Sequence, residues 1–159
     1  MASPLLVDVS TLDFTRSLLD RARIAEILPH RDAMAMVDGI CYRNPDNTIM
    51  VGWKDVRADE FWISGHFPGN PLFPGVMLVE AAAQVSLICY KMRVPEIADR
   101  LVVFGGIDKT RFRGAVRPGD RVVIMIKMLD ASRRAARCTA QAAVNGKLVF
   151  EGEVFAVAT

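Results

Sequence analysis

Cysteine and histidine are scarce in this 159-residue chain, which holds three cysteines and two histidines. Cys41, Cys89 and Cys138 are odd in number and lack CxxC spacing, so they predict neither a disulfide framework nor a zinc cluster. We therefore expect a reducing, cytoplasmic compartment.

The sequence also lacks a strong net charge, a membrane-spanning run and internal repeats. A formal net charge of +2 does not predict nucleic-acid binding. The longest apolar stretch, residues 71–90, contains Glu80 and Gln84, so we interpret it as a buried helix rather than a membrane span. The first residues lack a cationic start followed by a long apolar run, which argues against a secretory signal.

What the chain does have is a globular composition, with 52% hydrophobic and 24% charged residues. This balance excludes intrinsic disorder, and the length suits a single domain. We expect a lead-in over residues 1–23 and one domain over residues 24–159.

Local patterns predict a short helix, a long helix and six strands. The turn at residues 44–47 joins the first two strands, and Asn145-Gly146 is typical of a tight hairpin between the last two. The helices are expected over residues 20–28 and 76–92, and the strands over residues 35–43, 48–56, 101–113, 121–129, 134–144 and 147–157.

The long helix is apolar on nearly every face, so other structure must enclose it. The strands around it favour an α+β fold in which an antiparallel sheet wraps around this helix. Glu80 is then a problem, because an isolated buried carboxylate is costly. Either a polar neighbour such as Gln84 satisfies it, or its pKa is raised and it serves as a proton donor.

His66 lies in a Gly- and Pro-rich loop just ahead of this helix. It is either a structural or exposed histidine, or a general base beside a helix N-terminus whose free N–H groups, at Gly75 and Val76, can hold negative charge. A histidine base, a buried glutamic acid and an oxyanion site together describe a dehydratase.

Five segments resemble the (3R)-hydroxyacyl-acyl-carrier-protein dehydratases of type II fatty acid synthesis, the FabZ type. They occur in the family's order, and the resemblance extends from about residue 24 to the end of the chain. The segments are LPHR at 28–31, GHFPGNP at 65–71, PGVMLVEA at 74–81 with Gln84, GIDKTRFR at 106–113 and PGD at 118–120.

The resemblance implies a hot-dog fold and a dehydratase that needs no cofactor or metal. It implies that His66 handles the C2 proton, that Glu80 protonates the departing C3 hydroxyl, and that the Gly75 N–H polarises the thioester carbonyl. Val76 and Gln84 are the other expected substrate-binding residues. Related dehydratase-isomerases carry Asp where this chain has Glu80, so dehydration without isomerisation is expected.

The resemblance also implies partners. His66 of one subunit is expected to face Glu80 of the other in a homodimer, and three dimers can form a hexamer. The substrate is expected on an acidic acyl carrier protein. Residues 101–159 hold ten basic and five acidic residues. This basic excess is either a solvated face or a docking surface that includes Lys109, Arg111, Arg113, Arg133, Arg134 and Arg137.

Residues 32–36, DAMAM, replace the family's usual aromatic and proline-bearing stretch, which suggests a reshaped acyl tunnel. We expect an orienting or capping role for His30 and a packed, unreactive thiol for Cys89. The rival functions are a hot-dog acyl thioesterase and a non-catalytic acyl-thioester-binding module.

Overall fold

The structure is a computed structural model that describes residues 3–159. Over these residues it consists of four short helices, one long helix and seven strands. In chain order they are three short 3-10 helices at Val9–Thr11, Asp32–Met34 and Pro95–Ile97; the α-helices α1 (Arg21–Ile27) and α2 (Gly75–Arg93); and the strands β1 (Leu19–Asp20), β2 (Gly39–Arg43), β3 (Ile49–Asp55), β4 (Val102–Phe112), β5 (Arg121–Ala131), β6 (Ala135–Val144) and β7 (Lys147–Ala158).

The strands form one antiparallel sheet in the order β1-β2-β3-β5-β6-β7-β4. The predicted hairpins are present, and Asn145 and Gly146 both adopt the left-handed backbone that a tight turn between β6 and β7 needs, with φ of 48° and 74°. The predicted antiparallel sheet around a long helix is thus confirmed.

Helix α2 lies against the inner face of this sheet. Its length and apolar character would also suit a membrane span. Twelve of its 19 residues are buried, however, and nine of these pack into the main core, so the interpretation as a buried helix is confirmed. Alternate residues of β5 show the two faces of the sheet: Ile124 and Ile126 join this core, whereas Val123 and Met125 face outward.

The structure departs from the predicted strand over residues 35–43. Strand β2 begins at Gly39 because residues 32–34 form a 3-10 turn, and Gln84 of α2 then takes the Met36 N–H that a strand partner would have bonded. The short strand β1, which pairs with β2, was not predicted.

The first two residues of the lead-in lie outside the described residues, and from residue 3 it begins as an arm that packs on the outer face of the sheet. The buried side-chain amide of Gln141 on β6 accepts the Leu6 N–H at 2.8 Å and donates to the Pro4 carbonyl at 3.0 Å. Further along, Phe14 packs edge-on against Trp53 of β3. Outward-facing residues of the sheet that would otherwise be exposed are covered by the apolar residues of the arm, which are Leu5, Leu6, Val7, Val9, Leu12 and Phe14.

Gly39 tests this outer packing, because an added Cβ would lie 2.1 Å from the Trp53 ring. We expect Gly39→Ala to lower the free energy of unfolding by about 1–3 kcal/mol through overpacking. Urea denaturation measures this. The matched control is Gly106→Ala on β4, where the nearest atom lies 4.0 Å away. Equal stability of the two variants would contradict the packing described for Gly39.

Candidate active site

Glu80 lies in the second turn of α2, where the sheet does not fully enclose the helix. Its side chain is 27% exposed and lines an open pocket. Helix α2 and strands β4 and β7 form the walls, together with one residue from the loop after α1. The lining residues are His30, Glu80, Ala83, Gln84, Leu87, Val102, Val103, Phe104, Val154, Phe155 and Ala156.

Gln84 holds the Glu80 side chain from one turn further along α2. Its Nε2 donates to Glu80 Oε1 at 2.8 Å and to the Met34 carbonyl at 2.7 Å, and its Oε1 accepts the Met36 N–H at 3.0 Å. The side chain is 1% exposed, so these bonds satisfy a buried amide. The expected partnership between Gln84 and Glu80 is present, and it also anchors the unusual segment over residues 32–36.

His30 is the second partner of Glu80, and the sequence did not reveal this contact. Its Nε2 lies 3.4 Å from Glu80 Oε1, longer than an ordinary hydrogen bond but within the ~4 Å range of ion-pair contacts. Nothing in the spacing of the two residues predicts the contact, since 49 positions separate them and only the fold brings them together.

These two partners determine the ionisation of Glu80. The imidazole of His30 lowers the pKa of the Glu80 carboxyl; burial raises it, and the Gln84 hydrogen bond lowers it, with a net lowering. Of the two alternatives for Glu80, the single chain therefore shows the one in which Gln84 satisfies the carboxylate, and its surroundings do not raise the pKa. A carboxyl buried only in part, beside two donors, gains more from them than it loses in hydration.

His66 lies in the loop before α2, with its ring stacked on Phe67 at a centroid distance of 4.1 Å. Its Nδ1 lies 2.7 Å from the Leu72 carbonyl oxygen. A carbonyl only accepts, so Nδ1 carries the proton and Nε2 of the neutral ring keeps a lone pair. The ring is therefore oriented as a base, but His66 does not line the cavity that holds Glu80.

The N-terminus of α2 presents free donors. Pro74 caps the helix without a side-chain hydrogen bond, and no acceptor within residues 3–159 bonds the Gly75 or Val76 N–H. Phe112 packs so closely on Gly75 that a Cβ there would lie 2.9 Å from its ring, and Val76 is 72% exposed. This is the geometry expected of an anion-stabilising helix end.

Burial and side-chain spacing decide two further questions, the reactivity of Cys89 and the presence of a metal site. Cys89 is fully buried, and burial raises the pKa of its thiol to about 12, so it is a packed thiol as predicted. Within residues 3–159, no cluster of three or more His, Cys, Asp or Glu side chains is spaced to hold a metal ion.

The basic residues of the C-terminal part do not form one uncompensated surface. Four of the six cations pair with carboxylates: Lys109 and Arg137 with Glu153, Arg113 with Glu151, and Arg133 with Glu96. The other two, Arg111 and Arg134, have no such partner within residues 3–159. Strand register places Arg111 opposite Glu151 and Arg134 beside Ala158, about 23 Å apart along β7.

Comparisons with known proteins agree on one family. A FabA-like domain model matches residues 28–153. The chain is 40% identical over 141 residues to a 3-hydroxyacyl-acyl-carrier-protein dehydratase FabZ of Pelotomaculum thermopropionicum, covering 88% of this chain and 99% of the relative. It is 41% identical over 129 residues to the FabZ of Herpetosiphon aurantiacus, covering 81% and 90%.

A solved structure extends the likeness to the fold. The dehydratase heterocomplex ApeI:P from Xenorhabdus doucetiae contains a chain that superposes with a TM-score of 0.73 at 16% identity, covering 86% of this chain and 90% of that one. At this identity the match supports the fold alone.

The Gln84 network gives a stability prediction. We expect Gln84→Met to lower the free energy of unfolding by about 1–3 kcal/mol for each buried group left unpaired, chiefly the Met36 N–H. Urea denaturation measures the loss. Leu87→Met on the same helix is the control, since a volume-conserving apolar exchange costs under about 1.5 kcal/mol. A smaller loss in the Gln84 variant than in the control would contradict this assignment.

Proposed function

The chain belongs to the FabA-like domain family, and we propose that it dehydrates (3R)-3-hydroxyacyl-acyl-carrier-protein thioesters to trans-2-enoyl thioesters in fatty acid biosynthesis. The observation that carries this function is the 36–41% identity to FabZ dehydratases along most of both chains. The protein is a hydro-lyase with a hot-dog fold, and its sequence from residue 24 onward forms the dehydratase domain.

In this reaction His66 acts as the base. The bond from Nδ1 to the Leu72 carbonyl fixes the ring and leaves Nε2 to take the C2 proton of the substrate. The electrons of the C2–H bond form the new C2–C3 double bond, while the thioester carbonyl carries the developing negative charge. The free N–H of Gly75, beside that of Val76, stabilises this charge.

Glu80 completes the reaction at C3. As the C3–O bond breaks, the carboxyl protonates the departing hydroxyl, directly or through a water molecule, and water leaves. The lowered pKa of Glu80 means that its carboxyl must gain a proton before this step. A bound acyl chain favours this protonation of Glu80, because it displaces water from a side chain that is 27% exposed and so stabilises the neutral form.

A homodimer explains why one chain does not hold both groups in one cavity. Strand β4 forms an edge of the sheet, and large apolar side chains are exposed on it and on the loop of His66, including Phe104, Ile107, Phe112, Phe61 and Phe67. Edge strands and contiguous apolar surface are features of interfaces. We place His66 of one subunit opposite Glu80 of its partner, with a trimer of such dimers as the larger assembly.

An acidic acyl carrier protein, met in the cytoplasm, is the proposed donor of the substrate. Arg111 and Arg134 are the cations most available to it, because the others of the C-terminal group are already paired. Complementary charge accelerates encounter and weakens with salt.

Loss of either catalytic group tests the reaction. We expect His66→Ala and Glu80→Gln each to lower the rate of dehydration of 3-hydroxyacyl thioesters by at least ~10²-fold, as for lost acid–base catalysis. Enoyl thioester formation is followed by absorbance, and a free-thiol assay in parallel detects thioesterase activity. Thiol release without enoyl product would indicate the thioesterase, and binding without turnover the non-catalytic module.

Mixing the two inactive variants tests the shared site. In a mixed dimer, the His66 of the Glu80→Gln chain meets the Glu80 of the His66→Ala chain, which restores one site. After unfolding and joint refolding at equal amounts, we expect about a quarter of the wild-type rate, since about half of the dimers are mixed. No recovery, with mixed dimers shown to form, would place both groups of a site in one chain.

Charge reversal tests the carrier-protein surface. We expect Arg111→Glu or Arg134→Glu to raise KM for a carrier-protein thioester by about two- to fivefold, the effect of an exposed charge, and to weaken its salt dependence. The coenzyme A thioester should be unaffected. Arg16→Glu, ahead of β1 at the opposite sheet edge, is the control. Unchanged KM and salt dependence in either variant would remove that arginine from the surface.

A further inference from the structure

Both protein partners of Glu80 contact the same carboxylate oxygen. Gln84 Nε2 lies 2.8 Å from Oε1 and His30 Nε2 lies 3.4 Å from it. Within residues 3–159, no group hydrogen-bonds Oε2. One oxygen is therefore held by the protein while the other remains free for a ligand.

His30 is fixed in place by the loop that carries it. The guanidinium of the next residue, Arg31, donates to three backbone carbonyls, those of Ala25 at 2.9 Å, Leu28 at 2.8 Å and His30 at 2.8 Å. These bonds tie the loop to the end of α1. The imidazole, 25% exposed, is thus held beside Glu80 before any substrate binds.

The protonation of the ring follows from its surroundings. Nδ1 of His30 is buried and has no hydrogen-bond partner within residues 3–159. A proton on Nδ1 would be an unsatisfied buried donor, which costs more than an unpaired acceptor. The neutral ring therefore carries its proton on Nε2, which faces the carboxylate of Glu80.

Within residues 3–159 of one chain, no competing charge faces Glu80, and in the proposed dimer the His66 ring of the other subunit faces it as well. Of the residues that line its cavity, His30 is the one other titratable group, and the side chains from β4 and β7 are all apolar. Arg21 lines an adjoining cavity that His30 and Gln84 also border, but it pairs with Asp38 at 2.6 Å.

We propose that His30 is a positioning residue of the dehydration: its Nε2–H, together with that of Gln84, holds Oε1 of Glu80 so that Oε2 faces the departing 3-hydroxyl. This rests on the proposed function. The contact also stabilises the carboxylate that forms each time Glu80 gives up a proton. Removing it raises the pKa of Glu80, since His30 is the largest cause of its lowering.

Two variants of the full-length protein separate the N–H donor from the ring. His30→Phe keeps a ring without a donor, and His30→Gln keeps a donor without a ring. Carbon-13 NMR of glutamate carboxyls follows the titration of Glu80, with Glu80→Gln identifying its signal. Turnover of a 3-hydroxyacyl thioester is measured across pH in the same samples, and size-exclusion chromatography confirms an unchanged assembly.

We expect the pKa of Glu80 to rise in His30→Phe and to stay near the wild-type value in His30→Gln. In His30→Phe, the limb of the pH–rate profile that Glu80→Gln abolishes should move to higher pH. Its kcat should fall by about tenfold, less than the loss of the acid itself, with KM little changed. His30→Gln should recover most of this loss.

An unchanged Glu80 titration in His30→Phe would overturn the proposal, as would a lowered kcat without movement of the pH limb. A wild-type protein that forms no enoyl product would instead refute the proposed function. The carboxyl titration would then still decide whether His30 holds Glu80.

Discussion

The enclosure of helix α2 by the sheet is the constraint on which the rest of the structure depends. A helix apolar on nearly all faces is stable only where other structure removes it from water, and here the inner face of a seven-stranded sheet does so. Glu80 is the exception on this surface. Its carboxyl is tolerated because it lies where the enclosure opens into a cavity, beside two polar partners. The proposed catalytic acid thus lies where the core is incomplete.

The electrostatics of that cavity differ from those of a simple buried acid. Burial alone would raise the pKa of Glu80, whereas His30 and Gln84 favour its ionised form and bring a net lowering. In the proposed reaction Glu80 therefore depends on its substrate for protonation, because the acyl chain displaces water as it binds. The same donors then stabilise the carboxylate once the proton has left.

In the proposed mechanism a single chain supplies two half-sites. The loop of His66 and the free N–H groups of α2 lie apart from the Glu80 cavity, and exposed apolar residues with an open β4 edge accompany them. The proposed dimer accounts for both observations, because association of two chains would cover the apolar surface and bring His66 of one subunit to Glu80 of the other. On this view stability and catalysis share one interface.

The sequence by itself determined the two α-helices, six of the seven strands and the tight hairpin turn at Asn145-Gly146, because periodicity and turn chemistry act over a few residues. It also singled out Glu80 and His66 by residue type and motif. Only the tertiary structure decided that residues 32–36 form a turn anchored by Gln84, that the lead-in covers the outer sheet face, and that most C-terminal cations are paired. Contacts such as that of His30 with Glu80 join distant positions, so no local pattern encodes them; folding of the whole chain around α2 creates them.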